Sequence, residues 1–391
     1  MKILVSTQYD ALVGGVETYL DSVLPMLVAR GHEVRLLAVE HLSSLRPLAP
    51  SVSGRLTVSE AGVEAAKGFA REFGPDVIFQ HGISLPDLES FLLDQAPGVA
   101  YVHNYYGSCI SGSKRLQRGT DHPCDRTFGP LCLLHYLPDG CGGRNPVTGV
   151  KLYALQMRRK KLLGRCSRIL VGSRHMEREY LKYPETSRQL RVVPLFIAPL
   201  ATEPKPKGAA HDTLLFLGRL SEWKGVSHLI RALPLASAAL QRPLELMIAG
   251  DGSQRAVLEA LAQTTRSRVT FLGSVDPEQR RALFSRVDVL AVPSTWPEPF
   301  GLVGLEAAQF SVPSVAYSVG GIPDWLEPGV SGELAPGNPP TVEGLAEALT
   351  RALQDPNHLR ALGTAARRGV DRFLPERHME LLEAALKEAA G

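Results

Sequence analysis

The chain has 391 residues, more than one ordinary core accommodates, and it fits two domains of roughly 180 residues each. Hydrophobic residues at 44% and charged residues at 21% exclude wholesale disorder and fibrous repeats. With 43 Lys and Arg against 40 Asp and Glu, no global electrostatic reason points to a nucleic-acid partner. The start, Met1-Lys-Ile-Leu-Val-Ser6, is too briefly apolar for a signal-peptide core, and no apolar run approaches the roughly 18 to 20 residues of a membrane span. The expectation is a cytoplasmic protein whose thiols stay reduced.

The first elements follow a βαβ pattern: a strand from Lys2 to Val5, a helix from about Val16 to Arg30 ended by Gly31, and a strand from Glu33 to Val39. Short apolar runs from Asp76 to Phe79, Val99 to His103, Arg168 to Val171 and Arg191 to Val193 extend a parallel α/β sheet. The proline-rich stretch from Ala198 to Lys207 reads as a stiff connector. Beyond it the pattern restarts, with strands expected at Thr213 to Leu217, Leu244 to Ala249, Val269 to Leu272, Val287 to Val292 and Ser314 to Tyr317, and an Ala- and Leu-rich helical end including Glu376 to Ala390. The expected division is residues 1–198, a linker at 199–208, a second Rossmann-like domain at 209–372 and a terminal helix at 373–391, which could cross back to the first domain.

Three loops carry candidate chemistry. Gly14-Gly15 opens the first helix and brings backbone amides toward an anion or a sugar; a plain tight turn explains it equally. The G-x-G-x-x-G fingerprint is missing, which disfavours a nicotinamide cofactor. Gly218-Arg219-Leu-Ser-Glu-Trp-Lys224-Gly225 lies between a strand and a helix, where Arg219 can fork onto phosphate oxygens and Lys224 supplies a mobile point charge. In Trp296-Pro-Glu298-Pro-Phe-Gly301-Leu-Val-Gly-Leu-Glu306, the two carboxylates flank the amides at a helix start. Acids also gather at helix starts for macrodipole stabilisation alone, but Glu306 is expected on the buried side of its helix. Trp223 and Trp296 flank these loops as stacking or packing groups.

These residues, with His103 at a strand end and Ala249-Gly250-Asp251-Gly252, make almost the whole chain resemble a retaining glycosyltransferase of family 4, whose E-x7-E pattern Glu298 and Glu306 match. The resemblance implies a GT-B fold of two facing Rossmann-like, doubly wound domains. It implies transfer of a sugar, a hexose by expectation, from a nucleotide-diphosphate donor to a glycan, lipid-linked or small-molecule acceptor. In that reading Arg219 and Lys224 stabilise the leaving diphosphate and Glu306 holds the ribose. Glu298 lies beside the donor sugar near the amides of Phe300, Gly301 and Leu302. Gly15, Gly250 and Asp251 complete the donor site, and His103 faces the sugar from the first domain. The leaving phosphate helps deprotonate an acceptor arriving on its own face, and no metal is required. The alternatives are a nucleotide-sugar 2-epimerase of the same architecture and a non-catalytic nucleotide-sugar binding protein.

Residues 105–146 interrupt the alternation and hold Cys109, Cys124, Cys132 and Cys141, with Cys166 further on. The four cysteines, with His122 and His135 nearby, can hold a structural zinc, stay as reduced thiols or serve in a disulfide or redox role; no C-x-x-C knuckle is present. The position of Asn104 to Gly143 just after His103 suggests that this loop shapes acceptor selection. The stretch Lys151 to Arg165 reads as a basic helix with an apolar side, either packed inward or lying peripherally on anionic lipid at the inner membrane face.

Overall fold

A computed structural model describes residues 1–48, 51–116, 123–200, 212–265 and 267–391. The chain divides into two compact units. The first comprises Met1–Ser113, Arg126–Pro194 and Glu376–Gly391, and the second Lys114–Asp125 and Leu195–Pro375.

The first unit is built on seven parallel strands, β1 (Lys2–Tyr9), β2 (Glu33–Glu40), β3 (Gly54–Thr57), β4 (Val77–Gln80), β5 (Gly98–Val102), β6 (Arg168–Val171) and β7 (Leu190–Val192). They lie in the order β3-β2-β1-β4-β5-β6-β7. A parallel sheet is covered on both faces, so its central strands must be apolar throughout. Ile3 to Val5 and all four residues of β4 are buried accordingly. The helix Gly15–Ala29 presents Tyr19, Leu20, Val23, Leu24 and Leu27 to the core at helical spacing. The last helix, Pro375–Ala390, also belongs to this unit from Glu376 onward and buries His378, Met379, Leu382 and Leu386.

The second unit carries six parallel strands, β8 (Thr213–Leu217), β9 (Glu245–Ala249), β10 (Arg268–Gly273), β11 (Val289–Val292), β12 (Ser314–Tyr317) and β13 (Gly332–Ala335), in the order β10-β9-β8-β11-β12-β13. The order reverses direction between β8 and β11. In an open α/β sheet, that switch point opens a crevice at the carboxyl ends of the strands.

Two strands had no counterpart in the sequence reading. β3, with the sequence GRLT, and β13, with the sequence GELA, lie at sheet edges and lack an apolar run. Glu333 in β13 is nevertheless buried, because Arg351 Nε donates to it at 3.0 Å. Most of the expected linker falls in residues 201–211, outside the described residues.

Candidate active site

The loop after β8 and the loop after β11 meet at the switch point of the second unit. Gly218, with φ +156°, follows β8, and Arg219 comes next, exposed to solvent. Glu222–Lys224 then make one 3-10 turn closed by Gly225 at φ +66°. Glycine is obligatory there, because a Cβ would stand 1.8 Å from the Pro293 carbonyl oxygen of the β11 loop. The Thr295 amide donates to the Trp223 carbonyl at 3.0 Å and stitches the two loops further. This backbone contact brings Lys224 Nζ to 2.5 Å from Glu298 Oε1, and Ser294 Oγ donates to the same oxygen at 2.7 Å. Glu298 is buried, so its carboxylate is held by a cation and a hydroxyl on one side. Lys224 also stands 5.9 Å from the Trp296 ring centroid.

The neighbouring loops lock onto these two. A Cβ at Gly250 would lie 1.9 Å from the Gly218 carbonyl oxygen, and the Leu220 amide donates to the Asp251 carbonyl at 2.9 Å. The Asp251 carboxylate accepts from the Gly252 amide at 2.7 Å and from Arg255 at 3.0 Å, bonds that hold its pKa below the ordinary value. After β12, Gly320 adopts φ +58°, where a Cβ would lie 2.1 Å from the Glu298 carbonyl oxygen, and the Gly321 amide donates to that oxygen at 2.7 Å.

Beyond Glu298, the Phe300 side chain is buried in the core of the unit, and its carbonyl accepts from Trp325 Nε1 at 2.7 Å. The Phe300 ring is therefore taken up by core packing. Gly301 has φ +90°, and half-buried Leu302 packs on the core. Glu306 sits in the short helix Val303–Ala308. Its carboxylate is largely but not fully buried, on the helix side that meets Arg280, whose Nη1 lies 3.0 Å away. Burial of the group outweighs that cation and raises the carboxyl pKa.

In the first unit, His103 follows β5 and lies against Tyr101, His81 and Tyr19. His81 Nδ1 and His103 Nε2 are 3.0 Å apart and share a hydrogen bond. His378 Nδ1 donates to the Pro194 carbonyl at 2.7 Å, which leaves its Nε2 to accept from the Tyr19 hydroxyl at 2.9 Å. Burial favours the neutral imidazole and pushes His103 down to about 3 and His378 down to about 4; His81 is also held well below the usual range. His103 is therefore a neutral hydrogen-bonding group at physiological pH. Gly15 lies exposed at the start of its helix, and a Cβ there would meet nothing within 4 Å. The Gly14 amide is already bonded to Glu17 Oε2 at 3.0 Å, so a carboxylate of the helix takes one of the amides expected to face a ligand.

The comparisons with known proteins agree with this architecture. The family model "Glycosyltransferase Family 4" matches residues 13–199, and "Glycosyl transferases group 1" matches residues 202–369. The chain belongs to glycosyltransferase family 4. Among relatives of this family member, D-inositol 3-phosphate glycosyltransferase of Corynebacterium diphtheriae is 34% identical over 187 residues, which are 45% of this chain and 42% of that protein. The matched part spans about two fifths of the length of the curated relatives, from 36 to 42% of each. Sucrose-phosphate synthase from Thermosynechococcus elongatus shares the fold at a TM-score of 0.70 and 21% identity, over 99% of this chain and 98% of that one. Anabaena HepE, solved with UDP and glucose, does so at 0.67 and 19%, over 98% and 99%. The fold is GT-B.

Two alternatives that the sequence left open narrow in this family 4 chain. Among the described residues no three His, Cys, Asp or Glu side chains gather as a metal site; His122 lies outside them. Instead the Cys132 and Cys141 thiols point to separate backbone carbonyls, of Thr127 and His135, and the Cys109 thiol lies 3.5 Å from Ser111 Oγ. None of the five cysteines is in a disulfide. The basic helix runs Pro146–Leu163, capped by the Asn145 side chain. Three cations of this stretch are engaged within the unit: Arg158 with Asp87, Lys160 with Glu185 at 3.3 Å, and Arg165, just past the helix end, with Asp94 at 2.5 Å. The later part of this helix is therefore a packed, ion-paired element.

Sequence reasoning missed Ser294, Arg280 and the Gly320-Gly321 pair. The glycine pair after an apolar strand was a usable signal of close backbone approach. Ser294 and Arg280 carried none, since only the fold brings them to the carboxylates.

Proposed function

We propose that the chain transfers a sugar from a nucleoside-diphosphate donor to a hydroxyl-bearing acceptor with retention of anomeric configuration. The observation that carries this reading is the junction of the Arg219-to-Lys224 loop with Glu298 at the switch point of the second unit, where open α/β sheets bind ligands. Arg219 and Lys224 are the cations for the leaving diphosphate, a preorganised electrostatic arrangement of the kind that contributes most to such transfers. Glu306, fixed by Arg280, accepts from ribose hydroxyls. Glu298 and the amides of Phe300, Gly301 and Leu302 orient the donor sugar, with Gly250 and Asp251 shaping the neighbouring loop. His103 offers a neutral imidazole to a sugar hydroxyl. HepE, solved with UDP and glucose, supports a UDP-type donor.

In the proposed step the bond from the anomeric carbon to the β-phosphate oxygen breaks, and the acceptor oxygen bonds to the same face. The acceptor proton passes to the departing phosphate, giving glycoside and nucleoside diphosphate. No step is assigned to a metal. The acceptor is a glycan, a lipid-linked sugar or a small molecule, and the place of work is the cytoplasm.

A thermal-shift screen of nucleotide sugars tests donor binding, since a ligand at a hundred times its Kd stabilises by about 2.7 kcal/mol. Turnover of the best binder, with the product anomer assigned by NMR, tests the rest. An inverted product, or no stabilising nucleotide sugar, would refute the reading.

A further inference from the structure

We infer that the segment from Leu131 to Lys151 is a docking surface for an anionic lipid bilayer. The short helix Leu131–Tyr136 packs on the first turns of the helix Pro146–Leu163 through Tyr136, whose ring lies over Gly149; a Cβ at Gly149 would come within 2.7 Å of it. That contact uses one side of each helix. Leu131 and Leu134, a turn apart, are 65% and 71% exposed, and Val147 and Val150, also a turn apart, are 61% and 58% exposed. With Leu137, five of the 14 large hydrophobic residues exposed among the described residues fall within these 20 positions, and Leu134 and Leu131 are the most exposed of all. Single exposed apolar residues are ordinary on a monomer, whereas a concentration of this kind marks a contact surface.

Charge indicates what covers it. From Leu131 to Arg165 the chain has seven Lys and Arg against one acid, Asp139, which is itself paired with Arg126 and His135. Arg144 and Lys151, beside the apolar residues, and Lys161 further on are exposed and make no ion pair among the described residues, whereas Arg158, Lys160 and Arg165 are paired internally. Exposed leucines and valines beside uncompensated cations suit a headgroup layer that offers negative charge above an apolar interior. A second copy of the same surface would bring like charges together. The docking element is thus the start of the helix and the short helix before it, not the basic stretch further on. This inference is independent of sugar transfer, and its test reads lipid binding alone.

Co-sedimentation with phosphatidylglycerol-containing vesicles, compared with pure phosphatidylcholine vesicles at low salt, tests it. The protein is expected to bind the anionic vesicles and to detach as salt rises. The double variant L131S/L134S removes apolar contact from solvent-exposed positions and is expected to retain the thermal midpoint of the parent while weakening vesicle binding about tenfold. R144E/K151E is expected to abolish the preference for anionic lipid, and R158A to leave binding unchanged. Equal binding to both vesicle types, unaltered binding by a folded L131S/L134S, or a parent dimer dissolved by L131S/L134S without vesicle binding would each overturn the inference.

Discussion

Lys224 and Glu298 are 74 positions apart, yet the fold sets them in direct contact, and the consequences are measurable. Removing the ammonium leaves a buried carboxylate with only the Ser294 hydroxyl bonded to its Oε1. Because Lys224 is partly exposed, the stability cost of Lys224→Ala is expected to be about 1 to 2 kcal/mol, below that of a fully buried pair. Turnover is expected to fall roughly 100- to 1,000-fold, the range for losing one preorganised charge at a transition state. Thermal denaturation and single-turnover rates measure the two effects separately. Glu306 gives a pH signature. Its pKa is raised by burial, so its contribution to folding is present below the unfolded value near 4.5 and is lost as pH rises through the folded value. Donor binding runs the other way, since only the carboxylate accepts from hydroxyls. Donor affinity is expected to weaken as pH falls through that raised pKa, and Glu306→Gln to bind weakly at every pH; titrating the donor-induced thermal shift against pH checks it. The charged residues of both loops were legible because their charge and their glycine neighbours are local. Ser294 and Arg280 were not, because a serine after a strand and an arginine on a helix have no distinctive local pattern.

At the scale of elements, the central strands were readable from their apolar runs and the edge strands β3 and β13 were not, since an edge strand need not be apolar. The ends of β4 and β5, the helix Gly15–Ala29 and the last helix contribute His81, His103, Tyr19 and His378 to one buried cluster. Depressed histidine pKa values mean that the folded state favours neutral rings. Their stabilisation is complete above pH 6.5 and is lost as pH falls toward about 4 for His378 and about 3 for His103. His378→Asn is expected to flatten the loss of thermal stability between pH 6.5 and 4, a window in which the native His378 forfeits about 3 kcal/mol. Glu89 acts in the opposite sense. Burial pushes its carboxyl up to about 7, against the hydrogen bond from Tyr106 and the Arg159 charge. Its stabilisation is therefore present below 4.5 and lost as pH rises through about 7. Glu89→Gln is expected to gain stability relative to the parent as pH rises from 4.5 to 7, visible as converging or crossing thermal midpoints.

At the scale of the whole molecule, the chain leaves its first unit at Leu195 and returns to it at Glu376. The returning helix buries Met379, Leu382 and Leu386, each contributing about 1.5 to 3 kcal/mol by its burial. Their sum is comparable with the whole stability of an ordinary domain. Truncation after Pro375 is expected to unfold the first unit while the second keeps a cooperative transition. Calorimetry would then show one transition where the full chain shows two, or a single one of larger enthalpy. Survival of the complete calorimetric enthalpy after truncation would contradict this account.

The sequence by itself determined the apolar strand runs, the alternation that makes both halves doubly wound, and the glycine-bounded loops with their charges, because each is a pattern over a few neighbouring residues. Tertiary structure alone decided that β8 lies beside β11, which joins the Lys224 and Glu298 loops at the switch point. It also decided that the last helix belongs to the first unit, and that Arg158 and Lys160 of the basic helix are paired while leucines just ahead of it face solvent. Strand neighbours, burial and ion pairing are relations between distant parts of the chain, and they come into existence only when the sheets close.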